Sequence, residues 1–308
     1  MADATRLDEP DVDDIGFVSR FVSAPDGLRL HARLYGARGR GLPIVCLPGL
    51  TRNGADFHPI ATALTSDAAH PRLVVTIDSR GRGRSDYDRN PENYSFPVEL
   101  ADVLAVVTAL DIGRAIFLGT SRGGILAMLL GAARPGALAG VILNDIGPVL
   151  DAKGLMRIKG YVGKMPTPRS FTEGAEILRR LGDAQFTAMT PAQWLMQARR
   201  TWTQTDKGLV LDYDPNISKT LETVDAERPL PPIWGAFDSL ARVPLMVVRG
   251  ANSDILSAAT VDAMRARRLD IDVVDVPDQG HAPLLAEPGV IARIGAFVTL
   301  CDVSAFGF

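Results

Sequence analysis

Six short stretches of this chain, 44–47, 73–77, 115–118, 141–143, 245–248 and 271–276, are predominantly apolar. Short runs without regular polar alternation fit strands buried on both faces, as in a parallel sheet covered by helices. Stretches with helical spacing of apolar residues, at 96–110, 125–133, 258–267 and 288–298, separate most of them. Strand–helix alternation implies βαβ crossovers, so the expected fold class is α/β, with a mostly parallel sheet flanked by helices. Ahead of this pattern, 17–22 and 28–35 alternate in the strand manner around Pro25-Asp26-Gly27, which predicts a hairpin.

The alternation stops between about 150 and 236. That segment offers no convincing buried strand but has two helix starts: Ser170 followed by Glu173, and Thr190-Pro191 followed by Gln193. We expect a helical cap at 150–236, inserted into a core made of 1–149 and 237–308, a division that suits the length of 308 residues. All three tryptophans, Trp194, Trp202 and Trp234, fall in the insertion, with four of the eight methionines, Met156, Met165, Met189 and Met196. Bulky apolar residues there either wall a substrate pocket or form the cap's own core.

Composition excludes several function classes. A net charge of −3 gives no basic face for nucleic acid or an anionic membrane. The two cysteines, Cys46 and Cys301, lie in no metal or redox spacing, and no metal or organic cofactor is implied. Residues 1–14 are acidic and read as a frayed tail rather than a signal peptide, and no apolar run reaches the ~18 residues of a membrane span. The expected setting is cytoplasmic and the expected partner a small-molecule substrate; oligomeric state is not encoded in any pattern.

Gly119-Thr120-Ser121-Arg122-Gly123-Gly124 follows one strand run and precedes a helical one. A Gly-x-Ser-x-Gly sequence in that context fits a sharp strand-to-helix turn, which lifts a serine hydroxyl above the sheet beside free helix N–H groups. His281 stands in a Gly-His step after the last strand run, whereas His31 lies in the first hairpin, His58 near a helix start and His70 before a proline. A histidine in a late loop can reach the serine as its base. An acid must then orient the imidazole. Asp254, after the run 245–248, is favoured for this, with Asp145, after 141–143, as its rival.

The order Ser121, Asp254, His281 resembles that of the α/β-hydrolase superfamily, with the esterase-like and C–C-bond hydrolase branch nearest, over roughly 17–300. Asp78-Ser79-Arg80-Gly81-Arg82-Gly83-Arg84-Ser85 is similar to that branch's Asp-x-Arg-Gly-x-Gly-x-Ser turn, so the resemblance gives Arg80, Arg82 and Arg84 an architectural role. Leu47-Pro48-Gly49-Leu50-Thr51 is similar to the family's His-Gly-x loop, with Pro48 in place of histidine. The resemblance makes the backbone amides of Leu50 and Arg122 the oxyanion donors. The Arg122 side chain is a cation at a helix N-terminus, which opposes the dipole. It needs a local anion, for which Asp145 is the candidate, or it serves to hold an acidic substrate.

These residues imply a serine hydrolase that cleaves a carboxylic ester or lactone through an acyl-enzyme. C–C hydrolysis of a vinylogous diketone by the same triad is the alternative chemistry, and a non-catalytic ligand-binding member of the fold is the alternative class.

Overall fold

The computed structural model describes residues 15–67 and 70–306, so the expectations for the tail at 1–14 lie outside the described residues. Eight strands form one sheet: β1 (Phe17–Ser23), β2 (Arg29–Gly36), β3 (Ile44–Leu47), β4 (Leu73–Asp78), β5 (Ala115–Thr120), β6 (Leu138–Asn144), β9 (Leu245–Gly250) and β10 (Asp272–Val276). Their spatial order is β1-β2-β4-β3-β5-β6-β9-β10. The β1–β2 and β2–β4 pairs are antiparallel and every other pair is parallel.

Five of the six apolar runs become inner strands with both faces covered, whereas 271–276 gives the partly buried edge strand β10. Alternate residues of each strand enter two cores. Val45, Val75, Phe117, Val141 and Val247 face α2 (Phe96–Ala109), α3 (Arg122–Ala133), α7 (Trp234–Asp238) and α8 (Ala258–Arg267). Ile44, Val74, Ile116, Ile142 and Met246 face α1 (His58–Thr65) and α9 (Pro288–Phe306). By length and composition α9, at 19 residues, is apolar enough to cross a bilayer, although Arg293 and Asp302 interrupt its apolar run. Here Val290, Ile294, Phe297, Val298 and Cys301 bury one side of it against the sheet. Cys46 and Cys301 are free and buried, and burial pushes the Cys301 thiol up to about 12.

Between β6 and β9 lie α4 (Ala152–Tyr161), α5 (Phe171–Gly182) and α6 (Pro191–Thr201). The Ser170 hydroxyl accepts from the Glu173 amide, and Thr190 forms a reciprocal capping box with Gln193. The segment is not wholly helical. A hairpin of β7 (Trp202–Thr205) and β8 (Gly208–Leu211) continues α6. Trp202–Thr205 is mostly polar, so the first strand of the hairpin carries no buried-run signal. At the end of the insertion the Ile233 amide donates to Pro148 O at 2.8 Å, and beyond it Ser239 Oγ donates to Met128 O on α3.

The Asp78–Ser85 turn fastens several layers together. Asp78 is buried and accepts from His31 Nδ1, Arg33 Nη1 and the amides of Gly54 and Arg84. Arg80 pairs with Asp26, Asp88 and Asp102. The Gly83 amide donates to Asp212 O and the Asp214 amide to Gly81 O, which stitches the end of the cap to this turn.

Candidate active site

Ser121 sits between β5 and α3 with φ 51° and ψ −114°, a conformation held by the packing around it. A Cβ on Gly119 would lie 2.4 Å from Gly123 C, and one on Gly123 would lie 2.0 Å from Leu47 O. Only glycine permits that approach, so the two glycines of the motif allow α3 to start directly above the strand end. Ser121 Oγ is 2.9 Å from His281 Nε2.

The residue on the other imidazole nitrogen is Asp145, not Asp254. His281 Nδ1 lies 2.8 Å from Asp145 Oδ2. The sheet register explains this. Thr120 pairs with Asn144, so the residues after each, Ser121 and Asp145, leave adjacent strand ends together. Asp145 is fully buried, has φ 54°, and accepts from the Gly250 amide at 2.8 Å and from Ser253 Oγ at 2.5 Å. An ionised carboxylate only accepts, so Nδ1 carries the proton and Nε2 accepts from the serine hydroxyl. Asp254 faces the cap instead: both of its oxygens accept from Arg157 of α4, at 2.7 and 2.8 Å. Burial opposes its charge, but Arg157 holds its carboxyl below the ordinary range.

The Arg52 amide donates to Gly49 O at 3.2 Å, closing a turn that leaves the Leu50 amide outside its hydrogen bond. Arg82 Nε donates to Leu50 O at 2.8 Å, on the peptide that follows the Leu50 amide. Gly49, Leu50, Ser121 and His281 line one cavity of about 200 Å³.

The matching family model, described as the alpha/beta hydrolase family, covers residues 44–294. The chain belongs to the alpha/beta hydrolase family. This hydrolase is 34% identical over 295 residues to the 3-hydroxybutyrate-oligomer hydrolase of Cupriavidus necator, spanning 92% of this chain and 97% of the relative. It is 39% identical, with a TM-score of 0.85, to the crystal structure of an alpha/beta hydrolase from Novosphingobium aromaticivorans, over 92% and 98% of the two chains. The 2-(acetamidomethylene)succinate hydrolase of Mesorhizobium japonicum is 24% identical, over 86% of this chain and 89% of the relative.

Two of the three tryptophans lie away from the hydrolase's pocket. Trp194 lines it and meets Phe186 edge-on. Trp202 is in the cap's own core with Ala198 and Leu209, and Trp234 packs on Phe237 with Arg267 over its ring. The Arg122 guanidinium has Glu99 as its anion at 2.6 Å, not Asp145, and also stacks over Phe96. Glu99 is shared with Arg82. Burial opposes its charge, yet the two guanidinium groups hold its carboxyl below the usual range. The Arg122 guanidinium is thus held by Glu99 and the Tyr94 carbonyl, although one carboxylate serves two cations.

Two supports were not singled out in the sequence. Gln185, in the cap, accepts from the His281 amide at 3.1 Å. Asn144 Nδ2 donates to Thr120 Oγ1 and to Pro283 O, tying the histidine loop to the serine strand. Asn144 lies beside Asp145 in sequence, but Gln185 carries no local signal, since its role exists only when the cap meets the core.

Proposed function

We propose that this hydrolase cleaves small carboxylic esters through an acyl-enzyme on Ser121, with His281 as base and Asp145 as its orienting acid. The observation that carries the reading is the continuous chain from Ser121 Oγ to His281 Nε2 and from His281 Nδ1 to Asp145. In this reading, Ser121 Oγ attacks the ester carbonyl as its proton passes to His281. The Leu50 and Arg122 amides meet the developing oxyanion. His281 gives the proton to the departing alcohol, and water, activated by the same imidazole, releases the acid.

A cavity of about 200 Å³ is small beside typical ligand clefts of about 300–1,000 Å³. It favours a short acyl group. The similarity to the C. necator 3-hydroxybutyrate-oligomer hydrolase supports short hydroxyacyl esters as the substrate class. The test is intact-mass labelling with a fluorophosphonate alongside hydrolysis of p-nitrophenyl butyrate. We expect one adduct on the wild type, none on Ser121→Ala, and turnover lost in that variant. A folded wild type that neither labels nor turns over the ester contradicts the reading.

A further inference from the structure

The cavity wall around Ser121 contains one acid and one strong base, Arg52 and Asp56. They are paired to each other: Arg52 Nε donates to Asp56 Oδ2 at 2.7 Å and Nη2 to Asp56 Oδ1 at 2.6 Å. The cap completes the cluster. Arg52 Nη1 donates to Thr201 Oγ1 at 2.7 Å and Nη2 to Gln197 Oε1 at 2.9 Å, both from α6. The cluster shares the cavity with Ser121, and the Arg52 stem approaches the nucleophile across Gly49, where a Cβ would be 3.6 Å from Arg52 Cγ and 3.8 Å from Ser121 Cβ. Leu178, Phe186, Met189 and Trp194 give the wall an apolar stretch, and Thr51, Asn144 and Tyr161 add uncharged polar groups.

We infer that the Arg52–Asp56 pair determines acyl specificity, selecting chains that bear a neutral hydroxyl and rejecting chains that end in a carboxylate. The inference rests on Ser121 being the nucleophile. The chemistry follows from what the pair has left to offer. Four of the five guanidinium N–H groups are engaged in the contacts above, which leaves one donor on Nη1. Each Asp56 oxygen takes one bond from Arg52 and keeps accepting capacity. A hydroxyl can give to the carboxylate and take from the guanidinium. An incoming carboxylate can only take, and it meets the Asp56 charge at close range, where a single remaining donor does not compensate. An alkyl chain leaves the spare Nη1 donor and the spare Asp56 lone pairs unmet.

The experiment compares kcat/KM for methyl 3-hydroxybutyrate, methyl butyrate and monomethyl succinate by pH-stat. We expect the wild type to prefer the hydroxy ester over butyrate by about tenfold, the scale of one charge-assisted hydrogen bond, and to be slowest on the succinate ester. In Arg52→Met/Asp56→Leu, which removes both charges together, the hydroxy preference falls to about one or below. In Asp56→Asn, which is nearly isosteric and leaves Arg52 unmatched, the succinate ester gains on butyrate. A wild-type hydroxy-to-butyrate ratio near one, or retention of the wild-type ratios in both variants, overturns the inference. Fluorophosphonate labelling of the same samples separates this from failure of the Ser121 reading: labelled protein with the wrong ratios refutes the specificity element alone, while unlabelled wild type refutes the nucleophile.

Discussion

Asp145 Oδ2 accepts from His281 Nδ1 at 2.8 Å, while Asp254, which follows the next strand of the sheet, has both oxygens on Arg157. Two aspartates at successive strand ends therefore have separate tasks. The first touches the imidazole, and the second holds helix α4 of the cap against the loop after β9.

Exchange of each carboxylate for an amide separates these tasks. Asp145→Asn should lower kcat by about 10⁴, the scale seen when a triad imidazole loses its orienting carboxylate and takes the wrong tautomer. Asp254→Asn should leave kcat within about tenfold of wild type. Steady-state kinetics on p-nitrophenyl butyrate measure both, and the reverse ranking would give the catalytic role to Asp254.

The Asp254–Arg157 pair also predicts a pH-dependent stability difference. The folded-state carboxyl lies below its ordinary value, so the pair contributes fully above the unfolded pKa of about 3.9 and is lost as pH falls through the lower folded value. Wild type should exceed Asp254→Asn by on the order of 1–2 kcal/mol at pH 7, and the gap should close below about pH 4. Urea melts of both proteins across that range provide the check. A gap that widens on acidification would contradict the sign.

Arg82 is fully buried and donates to Leu50 O and to Glu99. Without it the Leu50 carbonyl loses this donor, and the Leu50 amide one peptide earlier is held less firmly. Arg82→Met should reduce kcat by ~10–10², less than the ~10²–10³ for complete loss of an oxyanion donor, with a smaller change in KM. A fall in KM-related binding with unchanged kcat would place Arg82 outside transition-state support.

Where the signal was local, the sequence sufficed. The strand runs are legible because burial on both faces demands continuous apolar residues, and the capping residues at Ser170 and Thr190 act on amides three residues away. The tight turn at Ser121 is legible because close backbone approach excludes every side chain at Gly119 and Gly123. The β7–β8 hairpin was not legible, because Trp202–Thr205 is mostly polar and continues α6 without a break.

The sequence by itself determined the α/β architecture, the serine on its turn and the histidine loop, since each follows from periodicity or from contacts within a few residues. Only the tertiary structure decided which aspartate meets His281, which tryptophan reaches the cavity, and that Glu99 rather than Asp145 matches Arg122. These are pairings between segments 23 to 136 residues apart. They are fixed by strand register and by how the cap docks, and neither leaves a trace in local spacing.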